Sequence, residues 1–142
     1  MFRRAGSIGI ITAVAAALFC VSTVLKVEAQ TVQTQQAMRQ KLAESQQLLA
    51  ALVTSNWAML AQRSQALQSI TRQPGWQVLQ SPEYRDYTAA FQKAAQAVAD
   101  ASTKRDQRTA LTAYNQLVAS CVECHRYLAR SRIASDRPTR TP

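Results

Sequence analysis

Four amphipathic stretches separated by short breaks constrain the fold of this 142-residue chain more than any other feature. In the first stretch, residues 31–54, Met38, Leu42 and Leu49 recur at a spacing close to that of a helix. Three further stretches with this periodicity follow, and no run alternates like a strand for long. The pattern therefore predicts an all-α protein.

The breaks between the stretches carry the usual signals of helix ends. Residues 54–56 are three good N-cap types before a second helix through Ile70, and residues 73–75 contain Pro and Gly. Ser81 and Pro82 suit the start of a third helix, and Asp106 caps a fourth. Short connections favour an antiparallel four-helix bundle, and the competing arrangement has three helices with the second one broken.

The chain begins with a segment that resembles an export signal. Arg3 and Arg4 precede an apolar run over residues 5–25, and Ala29 ends a short stretch that suits a signal peptidase. We predict a signal peptide over residues 1–29, cleavage before Gln30, and a periplasmic protein. The alternative is an uncleaved membrane anchor, since roughly 20 apolar residues are enough to cross a bilayer.

The remainder divides into a four-helix domain, residues 30–131, and a basic flexible tail, residues 132–142. The formal net charge of the whole chain is +9. Arginines concentrate late in the sequence, at Arg126, Arg130, Arg132, Arg137 and Arg140. A basic surface attracts acidic redox partners, anionic lipid or nucleic acid, and export argues against nucleic acid. The alternative is a solvated tail without a partner.

The most reactive group of residues is the pentapeptide Cys121-Val122-Glu123-Cys124-His125 on the fourth helix. Residues three and four apart share a helix face, so both thiols and the imidazole lie side by side. The following stripe of that helix is expected to face the bundle interior: Leu111, Tyr114, Leu117, Val118, Cys121, Cys124, His125 and Leu128.

Several chemistries of cysteine fit this pentapeptide poorly. A zinc site needs four ligands, and His125 is the single histidine of the sequence. A thioredoxin-like motif belongs to an α/β fold, and a disulfide across two residues closes too small a loop to stabilise much. Cys-x-x-Cys-His is the attachment sequence of c-type haem, in which Cys121 and Cys124 add to the vinyl groups and His125 coordinates the iron. The sequence thus predicts one covalent haem c.

A single such motif near the end of a four-helix bundle, behind a signal peptide, resembles the class II c-type cytochromes. These are the cytochrome c′ group and its six-coordinate relatives. The resemblance implies that a residue of the first helix faces the iron opposite His125. Met38 is the expected second axial ligand. In the alternative, Met38 only fills the core, Leu42 or Ala43 faces the haem, and the second axial position is open. Arg39 is expected to contact a haem propionate, unless it is only a solvated surface residue.

Two functions from different classes are compatible with these features. Six-coordinate iron predicts a periplasmic one-electron carrier that is not itself an enzyme. Five-coordinate iron predicts a haem protein that binds nitric oxide or carbon monoxide. A third alternative is a cytochrome subunit of a larger oxidoreductase. The resemblance also implies a possible homodimer, and a membrane association is expected only if the signal peptide is retained.

Overall fold

A computed structural model describes the backbone of residues 6–135 and the side chains of residues 28–131. It contains four helices and, within those residues, no strand. The helices are α1, Gly6–Val53; α2, Trp57–Ile70; α3, Pro82–Lys104; and α4, Gln107–Ser135. The predicted all-α, antiparallel four-helix bundle is confirmed, and the three-helix alternative is wrong.

Side chains at the breaks explain where the helices start. Asn56 accepts a hydrogen bond from the backbone N–H of Met59, and Ser81 accepts one from that of Tyr84. Asp106 accepts a hydrogen bond from the backbone N–H of Thr109 at 3.0 Å. Each of these bonds pairs an amide that the first helical turn leaves without a partner. All three caps were predicted from the sequence.

Helices α1 and α4 both extend beyond the predicted domain of residues 30–131. Helix α1 begins at Gly6, inside the predicted signal peptide, and α4 continues to Ser135, inside the predicted tail. The side chains of residues 1–27 and 132–142 lie outside the described part of the structure. The predicted basic tail with Arg132, Arg137 and Arg140 falls among these residues. In the part of the chain that is described, no helix combines the length and apolar character needed to cross a membrane.

Consecutive helices pack against each other, and their shared face forms the core. Helix α3 packs on both α2 and α4, while α1 packs on α2 and touches α4 much less. Fully buried members of the core include Leu48, Leu60, Leu67, Ile70, Val98 and Leu117. A half-buried ion pair at 3.2 Å between Glu44 and Arg63 also joins α1 to α2. Three seams of the bundle are therefore closed, and the seam between α1 and α4 is not.

The loop from α2 to α3 passes directly over α1. Gly75 is buried there, and a Cβ at this position would collide with the backbone carbonyl of Gln33. Trp76 follows it into the core, where its indole N–H donates to the hydroxyl of Thr88 at 3.1 Å. The hydroxyl of Tyr84 donates to the carbonyl of Trp76. The two hydrogen bonds hold the loop on the start of α3, and Gly75 allows the loop to lie directly against α1.

The predicted interior stripe of α4 is wrong in part. Leu111 is half exposed, and Val118 and His125 are exposed as well. The core-facing positions are Ala110, Ala113, Leu117 and Ser120, one residue before several of the predicted ones. Small residues serve there because α3 lies close against α4. The predicted stripe instead contains side chains that face the open seam beside α1.

Candidate functional site

The open seam between α1 and α4 forms a groove of about 600 Å³. Its walls are mostly apolar, although they lie at the surface of the bundle. The residues from α1 are Met38, Arg39, Lys41, Leu42, Ser45, Gln46 and Leu49. The residues from α4 are Tyr114, Leu117, Val118, Cys121 and His125. We refer to this set as the α1/α4 groove.

Hydrogen bonds close the groove at one end. The side-chain amide of Gln107, the first residue of α4, donates to the carbonyl of Leu52 near the end of α1 at 2.8 Å. The hydroxyl of Ser55 donates to the Gln107 side-chain oxygen at 3.2 Å. Away from this tie the two helices contact each other little. The groove therefore occupies the part of the seam that contains Met38 and His125.

Four of the five predicted site residues line this groove. Met38 and Arg39 are on its α1 wall, and Cys121 and His125 are on its α4 wall. Cys124, the fifth, is half-buried and does not line the groove. Both cysteines are free thiols. The structure thus brings together residues that are more than 80 positions apart in the sequence.

Cys124 is half-buried outside the groove, whereas Cys121 lines the groove and also packs against the hydrophobic core. Burial raises the pKa of its thiol, the neighbouring Cys121 raises it further, and the positive charge of Lys41 opposes both. Tyr84 is near enough that Cys124 contributes to the raised pKa of its phenol, after burial as the main cause. Cys124 is therefore close enough to Lys41 on α1 and to Tyr84 on α3 to share electrostatic effects with both.

His125 retains contact with solvent, yet the walls of the groove desolvate it in part. This desolvation lowers the pKa of the imidazole, and the nearby positive charge of Lys41 lowers it further. Both effects disfavour the imidazolium. A neutral imidazole has a free nitrogen lone pair, which is the form that binds a metal ion.

Lys41 is the functional candidate that the sequence analysis missed. It lines the groove although it is only 8% exposed. Its ammonium lies 5.3 Å from the ring centroid of Trp76 and 5.7 Å from that of Phe91. One signal was available in the sequence, because Lys41 falls at core spacing between Ala37 and Leu48.

The model of the cytochrome c′ family matches residues 12–127 of the chain. This match covers most of the sequence, including the whole pentapeptide and both walls of the groove. The chain belongs to the cytochrome c′ family. The family binds covalently attached haem c, so haem c is the cofactor of this chain. No curated protein and no solved structure gives a significant match.

Membership of the cytochrome c′ family agrees with the geometry of the groove. A porphyrin is flat and apolar, and the α1/α4 groove presents an apolar cleft between two helices. Thiols and an imidazole line or adjoin one wall, and a thioether lies on the other. These are the donor types that hold c-type haem and its iron. The residues present therefore fit the cofactor.

Proposed function

We propose that this cytochrome c′ family member is an exported, periplasmic one-electron carrier and is not itself an enzyme. One observation carries the proposal: Met38 and His125 lie on opposite walls of the same groove. A thioether and an imidazole on the two sides of haem iron close both axial positions and raise the reduction potential. Iron closed in this way exchanges electrons without binding a substrate.

Each site residue has a distinct part in this proposal. Cys121 and Cys124 would attach the haem through thioether bonds, and His125 and Met38 would bind its iron. Arg39 is exposed on the α1 wall and suits a haem propionate, because its planar guanidinium matches a carboxylate. The haem itself supplies the reversible change between ferric and ferrous iron. The chain positions it and limits the access of water.

The expected partner is an acidic redox protein. Arg126 and Arg130 are exposed on α4, one and five residues after His125. With Tyr87 and Glu123 they line a small surface pocket of about 180 Å³. Positive charge beside the haem site would steer an acidic partner toward the haem edge. A partner held permanently on this surface would make the chain a subunit of a larger oxidoreductase instead.

A second candidate function is the binding of nitric oxide or carbon monoxide. It is favoured by Leu42, which is 59% exposed and lines the groove one turn along from Met38. If Leu42 rather than Met38 faced the iron, one axial position would stay open. A small gas could then bind there.

Optical spectra of the purified, haem-loaded protein test the proposal. The oxidised and reduced forms would be recorded with and without carbon monoxide, for the wild type, Met38→Ala and Met59→Ala. Met59 is the matched control, because it is a half-buried methionine of α2 that does not line the groove. We expect haem to remain attached after denaturation and a sulfur-to-iron charge-transfer band that Met38→Ala abolishes and Met59→Ala retains.

Two results would overturn the proposal in different ways. Loss of all haem on denaturation would contradict covalent attachment through Cys121 and Cys124. A high-spin wild type that takes up carbon monoxide, and whose spectrum Met38→Ala does not change, would make Met38 part of the wall only. The gas-binding function would then replace electron transfer.

A further inference from the structure

Lys41 is a buried cation without an acidic partner among the described residues. The residue as a whole is 8% exposed, and its ammonium forms no ion pair with a described carboxylate. The carboxylate of Glu44, one turn along α1, pairs instead with Arg63 at 3.2 Å. Buried charges are normally paired, since their transfer from water is costly. An unpaired one beside a cofactor groove therefore requires an explanation.

Two aromatic rings partly replace the missing carboxylate. The Lys41 ammonium lies within 6 Å of the centroids of Trp76 and Phe91, the range of a favourable cation–π contact. The two rings are themselves packed at 5.1 Å. Aromatic faces stabilise a cation but carry no net charge of their own. The positive charge of Lys41 is consequently held in place and left uncancelled.

The charge of Lys41 acts across the groove on the haem-binding motif. Lys41 lines the α1 wall of the groove, and Cys121 and His125 line the α4 wall that faces it. A fixed charge in a partly desolvated cleft acts on its neighbours more strongly than the same charge in water. Lys41 is thus within electrostatic reach of the iron ligand.

If the cysteines hold the vinyl edge of the haem, its propionates would lie at the other edge and would not pair with Lys41. In protohaem the vinyl groups, which join to the cysteines, and the two propionates lie at opposite edges of the porphyrin. Lys41 lies across the groove from Cys121, which would attach to the vinyl edge. Arg39, exposed on the α1 wall, remains the candidate for a propionate.

We propose that Lys41 sets the reduction potential of the haem by favouring ferrous over ferric iron. Reduction adds one electron, supplied by the redox partner, and lowers the net charge at the iron by one. A fixed positive charge nearby stabilises the reduced form relative to the oxidised form. This inference rests on the proposed haem site and adds to it a residue that neither binds the iron nor attaches the cofactor.

Spectroelectrochemical titration of the haem-loaded protein tests the role of Lys41. The variants are Lys41→Gln, which removes the charge, and Lys41→Arg, which keeps it. Lys93→Gln is the control, because it removes the same charge from an exposed position of α3. Lys41→Leu is a second neutral variant for the case in which Lys41→Gln does not fold.

We expect the neutral Lys41 variants to lower the ferrous-to-ferric ratio at fixed potential at least tenfold, or about 59 mV for one electron. Lys41→Arg and Lys93→Gln should both change the ratio less than twofold. The inference is overturned if Lys41→Gln behaves like Lys93→Gln, or if it removes an axial ligand from the spectrum. A wild type without covalent haem would overturn the proposed function and this inference with it.

Discussion

The seam between α2 and α3 and the seam between α1 and α4 are built from similar residues but packed in opposite ways. In the first, Leu67 and Ile70 are fully buried. In the second, Leu42 is 59% exposed and Leu49 is 44% exposed. Large exposed apolar surfaces on a soluble protein usually mark a binding site. The difference indicates that three closed seams supply most of the packing of the bundle, and it agrees with the proposed haem site in the fourth.

The largest expected effect compares a leucine of the closed seam with one of the groove. Leu67→Ala removes a fully buried side chain and should lower the free energy of unfolding by about 2–5 kcal/mol. Val53→Ala, at a 74% exposed position of α1, should change it by less than about 0.5 kcal/mol. Leu42→Ala should fall between them if haem covers the groove. Chemical denaturation of the haem-loaded variants measures all three.

The order of these three variants decides whether the groove is a cofactor site. If Leu42→Ala matched Val53→Ala, nothing would cover Leu42 in the loaded protein. If it matched Leu67→Ala, the two seams would be equally closed and the comparison would fail.

Gly75→Ala should have the second-largest effect, because it acts where the α2–α3 loop crosses α1. The added Cβ would collide with the Gln33 carbonyl, and the loop would have to move away from α1. Overpacking of this kind costs about 1–3 kcal/mol. Thermal unfolding, with Gln77→Ala as an exposed neighbour in the same loop, checks it. An unchanged midpoint would mean that the loop does not fix α1.

Gln107→Ala tests the tie that joins α1 to α4 at the closed end of the groove. The variant removes the hydrogen bonds to Leu52 and Ser55, each of which contributes about 1 kcal/mol. We expect a modest loss of stability together with faster hydrogen exchange at the end of α1. Gln116→Ala, an exposed glutamine in the middle of α4, is the control and should change neither. Equal exchange in both variants would show that the tie does not hold the seam.

Local signals in the sequence were sufficient to predict the fold. Asn56, Ser81 and Asp106 are polar side chains that can accept a bond from a free amide, and each of them does so. The pentapeptide was equally local, because Cys121 and His125 share a face on any helix. Such features depend on neighbours within about one turn.

The face that each helix presents to the groove was not predictable from periodicity alone. Met38 and Leu42 differ from the core positions Ala37 and Lys41 by a single residue, or about 100° around the helix. An apolar stripe wide enough to include both faces does not show where the core ends and a cofactor begins. Lys41 was missed for this reason, since a lysine inside a helix is expected at the surface.

The smallest expected effect concerns the N-terminal end of α4, remote from the pentapeptide. Asp106 accepts hydrogen bonds from the hydroxyl and the backbone N–H of Thr109, and these bonds lower the pKa of its carboxyl group. A carboxylate whose pKa is depressed in the folded chain stabilises that chain above its unfolded pKa of 3.8, and the contribution is lost as the pH falls through the folded value. Asp106→Asn keeps an acceptor for the cap but cannot titrate.

The variant should therefore be slightly less stable than the wild type at pH 7, and the gap should close progressively below about pH 4. Urea denaturation of both proteins between pH 2 and pH 7 measures the gap. If the difference did not vary with pH, the negative charge of Asp106 would add nothing to the stability that the hydrogen bonds accepted by its oxygen atoms provide. Because this carboxylate is fully exposed, its effect should also shrink in high salt, whereas the effect of Leu67→Ala should not. That contrast separates the packing that closes three seams from the surface charge that only secures the end of a groove wall.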